Sequence, residues 1–299
     1  MAVTMDRNPG AMGFSAAYEE VRAFLLAFDA DGVTAESFLW GRWEWIFCKH
    51  GFDPVRRPLI DVWRDDGRVV GLVTNEEAPS GYAWFCLDPA YPELRAEMLA
   101  HAERYLRDEK AIRVQIDNRD LAFQKLAARA GYHATNESEE LAVLPVDAHD
   151  LSYVLPPGYH TESMADFYDV RKFNRLMWRG FNHEGEPPES EQVLLDRSRQ
   201  LLGPHEDLDL NIVVVAPDGS FASYCGMWHE YGSTHALVEP VATDPDHRRK
   251  GLGRAAVLEG IRRCAARGAE DAYVGSAQPF YYAIGFHPWL SKTWWKKEL

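Results

Sequence analysis

The chain has 299 residues and carries 46 Asp and Glu against 32 Lys and Arg, a formal net charge of -14 at pH 7. With 46% hydrophobic and 26% charged residues it has the balance of a folded protein with real cores, and its length suits two ordinary domains. The acidic excess argues against a nucleic-acid binder, whose affinity comes largely from neutralising phosphates; it suits a cationic small substrate as well as it suits plain solubility.

The N-terminal stretch MAVTMDRNPGAMG has no basic start followed by an apolar run, and no segment nears the ~18 apolar residues of a membrane span, so a cytoplasmic protein is expected. Strand patterns follow at 67–76 and 81–87, and a helix at 92–109 with Leu94, Met98, Ala102 and Leu106 on one face. Residues 111–116 read as a strand, 121–132 as a helix closed by glycine, and 139–146 as a strand. A polar stretch with a Pro-Pro-Gly break at 147–159 marks a seam.

The pattern then returns. Residues 210–230 read as a hairpin about Pro-Asp-Gly, 234–243 as a strand, 251–269 as a helix with Leu258, Ile261 and Ala265 inward. A strand DAYVGS, a short helix PFYYAIGF and a last strand KTWWKKEL complete the series. Asp88 precedes Gly131 by 43 residues, and Asp244 precedes Gly285 by 41, which points to two copies of one α/β domain, 1–148 and 149–299. Cys48, Cys86, Cys225 and Cys264 are widely separated, with no CxxC and no His at metal spacing, so buried thiols are expected and no metal site.

The most informative stretch is DPDHRRKGLGRAA, residues 244–256. A strand ending near Thr243 and a helix opening at Gly251 aim backbone N–H groups and a positive helix end at one spot, an anion site. Gly251 and Gly253 admit phosphates close to the backbone, while Arg249, Lys250 and Arg254 add charge. A Walker-type loop would need Ser or Thr after Gly-Lys, and there is none. GLGRAA satisfies the dinucleotide fingerprint, but Glu270 and Asp271 precede the next strand instead of ending it, and only 46 residues follow Gly253.

Arg248-x-x-Gly251-x-Gly253 after a strand and before an amphipathic helix, with FYYAIGF beyond the next strand, resembles the GNAT superfamily of acyl-CoA N-acyltransferases. The resemblance implies two tandem GNAT-like domains of α+β type, each a mixed, mostly antiparallel sheet flanked by helices. The first reads DPAYPELRAEM at the matching loop and Ala127 where the second has Tyr281, so it resembles a degenerate, non-catalytic copy. For the second copy the resemblance implies acetyl-CoA as co-substrate. Its pantetheine arm would lie along Val241, Ala242 and Thr243, and its pyrophosphate on amides of Arg249, Lys250, Gly251, Leu252, Gly253 and Arg254.

Direct transfer of an acetyl group to a primary amine of a small molecule follows, with Tyr281 as the acid for the leaving thiolate and Glu239 as the base. Each has a plainer alternative: aromatic packing for Tyr281, and a solvated strand residue, an acceptor anchor or a water chain for Glu239. His229 and His235 are reserve bases, and the family's Asn upstream of the tyrosine is missing from VGSAQP. The segment 178–192, with Glu184, Glu186, Glu189 and Glu191, is the expected acceptor-side loop, and some of the ten tryptophans would line an acceptor cleft. The rival readings are a non-catalytic acyl-CoA-binding regulator and a nicotinamide-dependent oxidoreductase. Acceptor identity, acyl-chain length and oligomeric state are not written in the sequence. Gly253→Asp is expected to abolish coenzyme A binding by setting a carboxylate against the phosphates; unchanged affinity in a calorimetric titration contradicts the loop assignment.

Overall fold

The computed structural model describes residues 3–7, 14–29, 40–49, 58–76 and 80–299, so part of the N-terminal stretch lies outside it. The elements run β1 (Thr4–Arg7), α1 (Ala16–Asp29), α2 (Trp40–Cys48), β2 (Ile60–Asp65), β3 (Arg68–Thr74), β4 (Tyr82–Leu87), α3 (Leu94–Tyr105), β5 (Ala111–Asp117), α4 (Leu121–Arg129) and β6 (His133–Pro145). They continue as β7 (His160–Ser163), α5 (Val170–Gly180), α6 (Glu191–Arg199), β8 (Asn211–Val215), β9 (Phe221–His229), β10 (His235–Thr243), α7 (Leu252–Ala265), β11 (Asp271–Val274), α8 (Pro279–Ile284) and β12 (His287–Glu298). Among the described residues no helix is long and apolar enough to cross a membrane. All four cysteines are buried and none forms a disulfide.

Two compact units emerge from the contacts: one holds the elements from β1 into β6 together with Trp289–Leu299, the other Leu141–Pro288. In the first, β1 to β4 pair antiparallel in succession, β4 meets β5 in parallel, and β12 runs antiparallel to β5 from Lys292↔Asp117 to Glu298↔Ala111. Asp66 and Gly67, both at positive φ, make the two-residue turn between β2 and β3, the geometry that follows the twist of paired strands. Leu94, Met98, Ala102 and Leu106 are buried in the core with Ile112, Val114 and Ile116, as their four-residue spacing requires.

In the second unit the sheet runs from the end of β6 through β11, β10, β9 and β8 to β7, and only β10–β11 is parallel. Helix α7 buries Leu258, Ile261 and Cys264 against it. The end of β6, Ala142–Pro145, pairs here with β11, whereas the sequence reads 139–146 as closing the first series. Conversely the segment read as the second series' last strand supplies the pairing partner of β5 in the first unit. Strand pairing is a tertiary choice, and alternation along a strand fixes its buried face without naming its neighbour.

Along β12, Leu290, Lys292 and Trp294 are buried at alternate positions. Trp294 stands edge-on to Tyr82 and Trp84, with centroids 4.9 Å and 5.1 Å away. Trp294→Ala is expected to lower stability by about 3–5 kcal/mol, read as a shift of the urea midpoint of the full chain; a loss below about 1 kcal/mol would show that this ring is dispensable to the core.

Candidate active site

The site begins with an incomplete strand pairing. Strand β10 pairs with β11 only over His235–Leu237, so from Val238 onward its β11-side edge has no strand beside it. On its other edge Val241, Ala242 and Thr243 remain paired with Cys225, Tyr224 and Ser223. Between the two regimes Glu239 and Pro240 bulge opposite Gly226, where a proline, which has no N–H to give, is tolerated. Gly226 is required there: a Cβ would stand 2.8 Å from Glu239 O and from the Tyr224 hydroxyl.

Beyond Thr243 the chain turns on Asp244, whose carboxylate accepts from the Asp246 amide at 2.9 Å. Burial opposes ionisation of Asp244, yet the Arg179 guanidinium and that amide outweigh it and hold its pKa below the ordinary carboxylate value. Arg249 and Gly251 then adopt left-handed conformations, φ 62° and 80°, and Gly251 caps α7 without any side-chain bond. The first helical hydrogen bond runs from Ala255 N to Gly251 O at 3.0 Å. Among the described residues, the amides of Arg249, Lys250, Gly251, Leu252, Gly253 and Arg254 donate to no protein acceptor. Exposed helix N-terminal amides and their dipole attract anions, and a left-handed arginine, costing of order 1–3 kcal/mol, helps to turn them together.

These amides open on a cleft of about 740 Å³ lined by Val241, Ala242, Thr243, Arg249, Gly251, Leu252, Gly253, Arg254 and Tyr281, with Phe280, Ile284 and Gly180–Asn182 among its other walls. The volume is that of a small-molecule or cofactor site. The two glycines differ in their reasons. Gly251 is demanded by its positive φ and has open space where a Cβ would be, whereas at Gly253 a Cβ would lie 3.1 Å from Thr243 Oγ1 and 3.2 Å from the Phe280 ring. Arg249 and Arg254 face the cleft with no ion pair among the described residues. Lys250 is not in the lining: its ammonium donates to the Tyr159 hydroxyl at 3.3 Å and to Asp246 O at 3.1 Å.

Tyr281 is buried to 7% exposure, packed at 5.0 Å and 5.6 Å centroid distance against Phe280 and Phe286. Burial above all, then the neighbouring Cys225 and Glu239, raises its pKa well above the usual phenol value, so the hydroxyl stays protonated at neutral pH. Glu239 is half-buried at the bulge, its carbonyl accepting from the Trp228 indole at 2.9 Å; it is not in the cleft lining. His229 and His235 are also outside the lining, buried at the opposite end of β10, where His229 Nδ1 meets His235 O at 3.0 Å.

The segment 178–192 splits into two parts. Gly180, Phe181 and Asn182 form a wall of the cleft, while Glu186 and Glu189 pair with Arg175 and Arg171 at 2.8 Å and 3.0 Å. The packing of the Phe280 ring and the Arg179–Asp244 pair escaped the sequence reading, which did include residues 180–182 in its acceptor-side segment; Pro240 inside a strand pattern and Asp169 capping α5 were the signals available. In the first unit the matching turn makes the same two bonds as the second, Tyr91 N to Asp88 O and Ala90 N to Asp88 Oδ1 at 2.9 Å, where the second has His247 N to Asp244 O and Asp246 N to Asp244 Oδ1. At its helix start Leu94 N also bonds Tyr91 O at 3.1 Å and Arg95 N bonds Pro92 O at 3.4 Å. Ala127, at the place of Tyr281, is fully buried.

Against known proteins, residues 169–288 match the model of the acetyltransferase (GNAT) family. No curated protein matches. Among solved structures, a tandem GNAT protein from the clavulanic acid biosynthesis pathway is similar over 99% of this chain and 98% of its own, with TM-score 0.65 and 16% identity. A GCN5-related N-acetyltransferase from Sphaerobacter thermophilus is similar over 99% and 95%, with TM-score 0.58 and 16% identity. A GNAT-family acetyltransferase from Colwellia psychrerythraea covers 99% and 100%, with TM-score 0.57 and 12% identity. The chain therefore has the tandem GNAT fold, and its residues 169–288 are a domain of the GNAT acetyltransferase family.

Proposed function

We propose that the C-terminal copy, within 149–299, moves an acetyl group from acetyl-CoA to a primary amine of a small cationic molecule by direct transfer, and that the first copy, within 1–148, is non-catalytic. The observation that carries this reading is the row of six uncommitted amides from Arg249 to Arg254 beside the unpaired edge of β10. These residues fit a diphosphate: the amides are uncommitted at a helix start, Gly251 leaves open space, and Arg249 and Arg254 border the cleft. At the corresponding helix start of the first unit, Leu94 N and Arg95 N are bonded within the turn, to Tyr91 O and Pro92 O.

Bound acetyl-CoA supplies an activated thioester. The unpaired β10 edge at Val241–Thr243 would hold the extended arm, and Lys250, which bonds Tyr159 and Asp246, contributes its amide to the phosphates rather than its ammonium. As the amine nitrogen bonds to the acyl carbon, the carbon–sulfur bond breaks. The Tyr281 hydroxyl gives its proton to the departing sulfur; burial keeps that proton available at neutral pH. From the bulge beside Tyr281, Glu239 takes one proton of the acceptor ammonium, directly or through water, before attack; the second N–H proton, lost as the amide forms, returns through water to the Tyr281 oxygen. The net negative charge of the chain favours a cationic acceptor, and a cytoplasmic setting, where acetyl-CoA is made and used, accords with this reading.

Tyr281→Phe is expected to lower kcat by about 10²–10⁴-fold while leaving coenzyme A affinity nearly unchanged. Because the phenol's pKa is raised, its loss of a proton would not reduce the wild-type rate until above its ordinary value near 10. Thiol release over a panel of amines measures both points; an unaffected rate in the variant returns Tyr281 to a packing role, and coenzyme A binding with no thiol released for any amine favours a non-catalytic regulator.

A further inference from the structure

The arginine of the Arg248-x-x-Gly-x-Gly run does not point its donors at the open amides. Its Nε donates to Thr243 O at 3.1 Å, and its Nη2 donates to Gly180 O at 3.0 Å and to Asn182 Oδ1 at 2.8 Å. Gly180 closes α5, and Asn182 sits just past it at φ 59°, so Arg248 brings a cation to the negative end of that helix. A second arginine reaches back the other way. Arg179, in the last turn of α5, binds both carboxylate oxygens of Asp244 at 2.6 Å and 3.1 Å and Asp246 at 2.6 Å. The two ties are locked by close packing: a Cβ on Gly180 would fall 2.8 Å from Ala242 Cβ and 3.3 Å from Thr243 N.

We propose that Arg248 is a positioning residue that fastens the end of α5 to the strand end beneath the phosphate loop, so that filling the loop steadies residues 183–190. None of residues 183–190 lines the cleft. They are tied to α5 by His183 N to Trp178 O at 3.1 Å, the Trp178 indole to Gly185 O at 3.1 Å, Asn174 Nδ2 to Pro188 O at 3.0 Å, and the exposed ion pairs of Glu186 with Arg175 and Glu189 with Arg171. A segment held through one helix feels the ordering of that helix's end. Fixing residues 243–248 fixes Gly180 and Asn182 through Arg248, and with them the start of the segment on the acceptor side of the cleft. The inference rests on the coenzyme A reading of the loop, and it assigns Arg248 a task other than phosphate contact.

The test is hydrogen exchange of the full chain with and without coenzyme A, on wild type, Arg248→Ala and Asn182→Ala. In the wild type coenzyme A is expected to slow exchange at 249–254 and also, by about fivefold or more, at 183–190. At coenzyme A concentrations that saturate each protein, both variants are expected to lose the second effect, whatever affinity the changed cleft wall costs. Asn182→Ala leaves the motif untouched, so it carries the test even if Arg248→Ala folds poorly. Protection confined to 249–254 in the wild type, or 183–190 still protected in both variants, overturns the positioning role while leaving the donor reading intact. Absence of any slowing at 249–254 overturns the donor reading, and this inference with it.

Discussion

Six consecutive amides, Arg249 to Arg254, give their hydrogens to no acceptor among the described residues, and the cleft of the second unit lies beside them. A helix must begin with unsatisfied donors, but most helices cap them with a side chain or hide them in a turn. Here Gly251 caps α7 with no side chain at all, and the preceding Arg249 is bent into a conformation that non-glycine residues avoid. Asp244, which does cap, serves the short turn before the loop instead of the helix. Such an arrangement is unfavourable in an empty protein and favourable around a polyanion, and the cleft walls are placed accordingly.

The neighbouring features follow from that constraint. A ligand reaching from the amides toward Tyr281 needs a path along the sheet, and the early separation of β10 from β11 after Leu237 provides it. The bulge at Glu239 and Pro240, accommodated by Gly226, turns β10 at the head of that path. Phe280 fills the space that a side chain at 253 would need, so the glycine serves packing between helix start and α8 as much as access for a ligand. In the first unit the parallel contact of β4 and β5 is shorter still, Tyr82 and Ala83 only. There Arg95 pairs with Asp120 and lies 4.9 Å over the Phe123 ring. The first unit thus has a similar strand parting, with Ala127 where the second has Tyr281.

Much of this was legible because it is local. The α3 face, the 210–230 hairpin, the glycine-bearing loop and the short helix around Tyr281 all announce themselves by spacing within a dozen residues. Helices α5 and α6 did not. In VRKFNRLMWRG the apolar Val170, Phe173, Leu176, Met177 and Trp178 are interleaved with Arg171, Lys172, Arg175 and Arg179, and the stretch after it is broken by prolines. Strands β1 and β2 and helices α1 and α2 were also left unread; Ile60–Trp63 is a short run buried on both faces, which alternation does not reveal. The partners of β6 and β12 depend on which edges stand open once the sheets form, and no local pattern encodes that. At the site, Val241–Thr243, Arg249, Gly251–Arg254 and Tyr281, named from sequence, line one cleft. Lys250 and Glu239 lie just outside the lining, because a lysine's reach and a strand's bulge are set by neighbours far away in sequence: Tyr159 for one, Gly226 for the other.

The measurement that bears most directly on all of this is a crystal structure of the full chain grown with coenzyme A. The account predicts the diphosphate seated on the amides of Arg249 to Arg254, with the thiol end within hydrogen-bonding reach of the Tyr281 hydroxyl. Coenzyme A bound at any other place, or crystals in which those amides meet only water at saturating ligand, would contradict it.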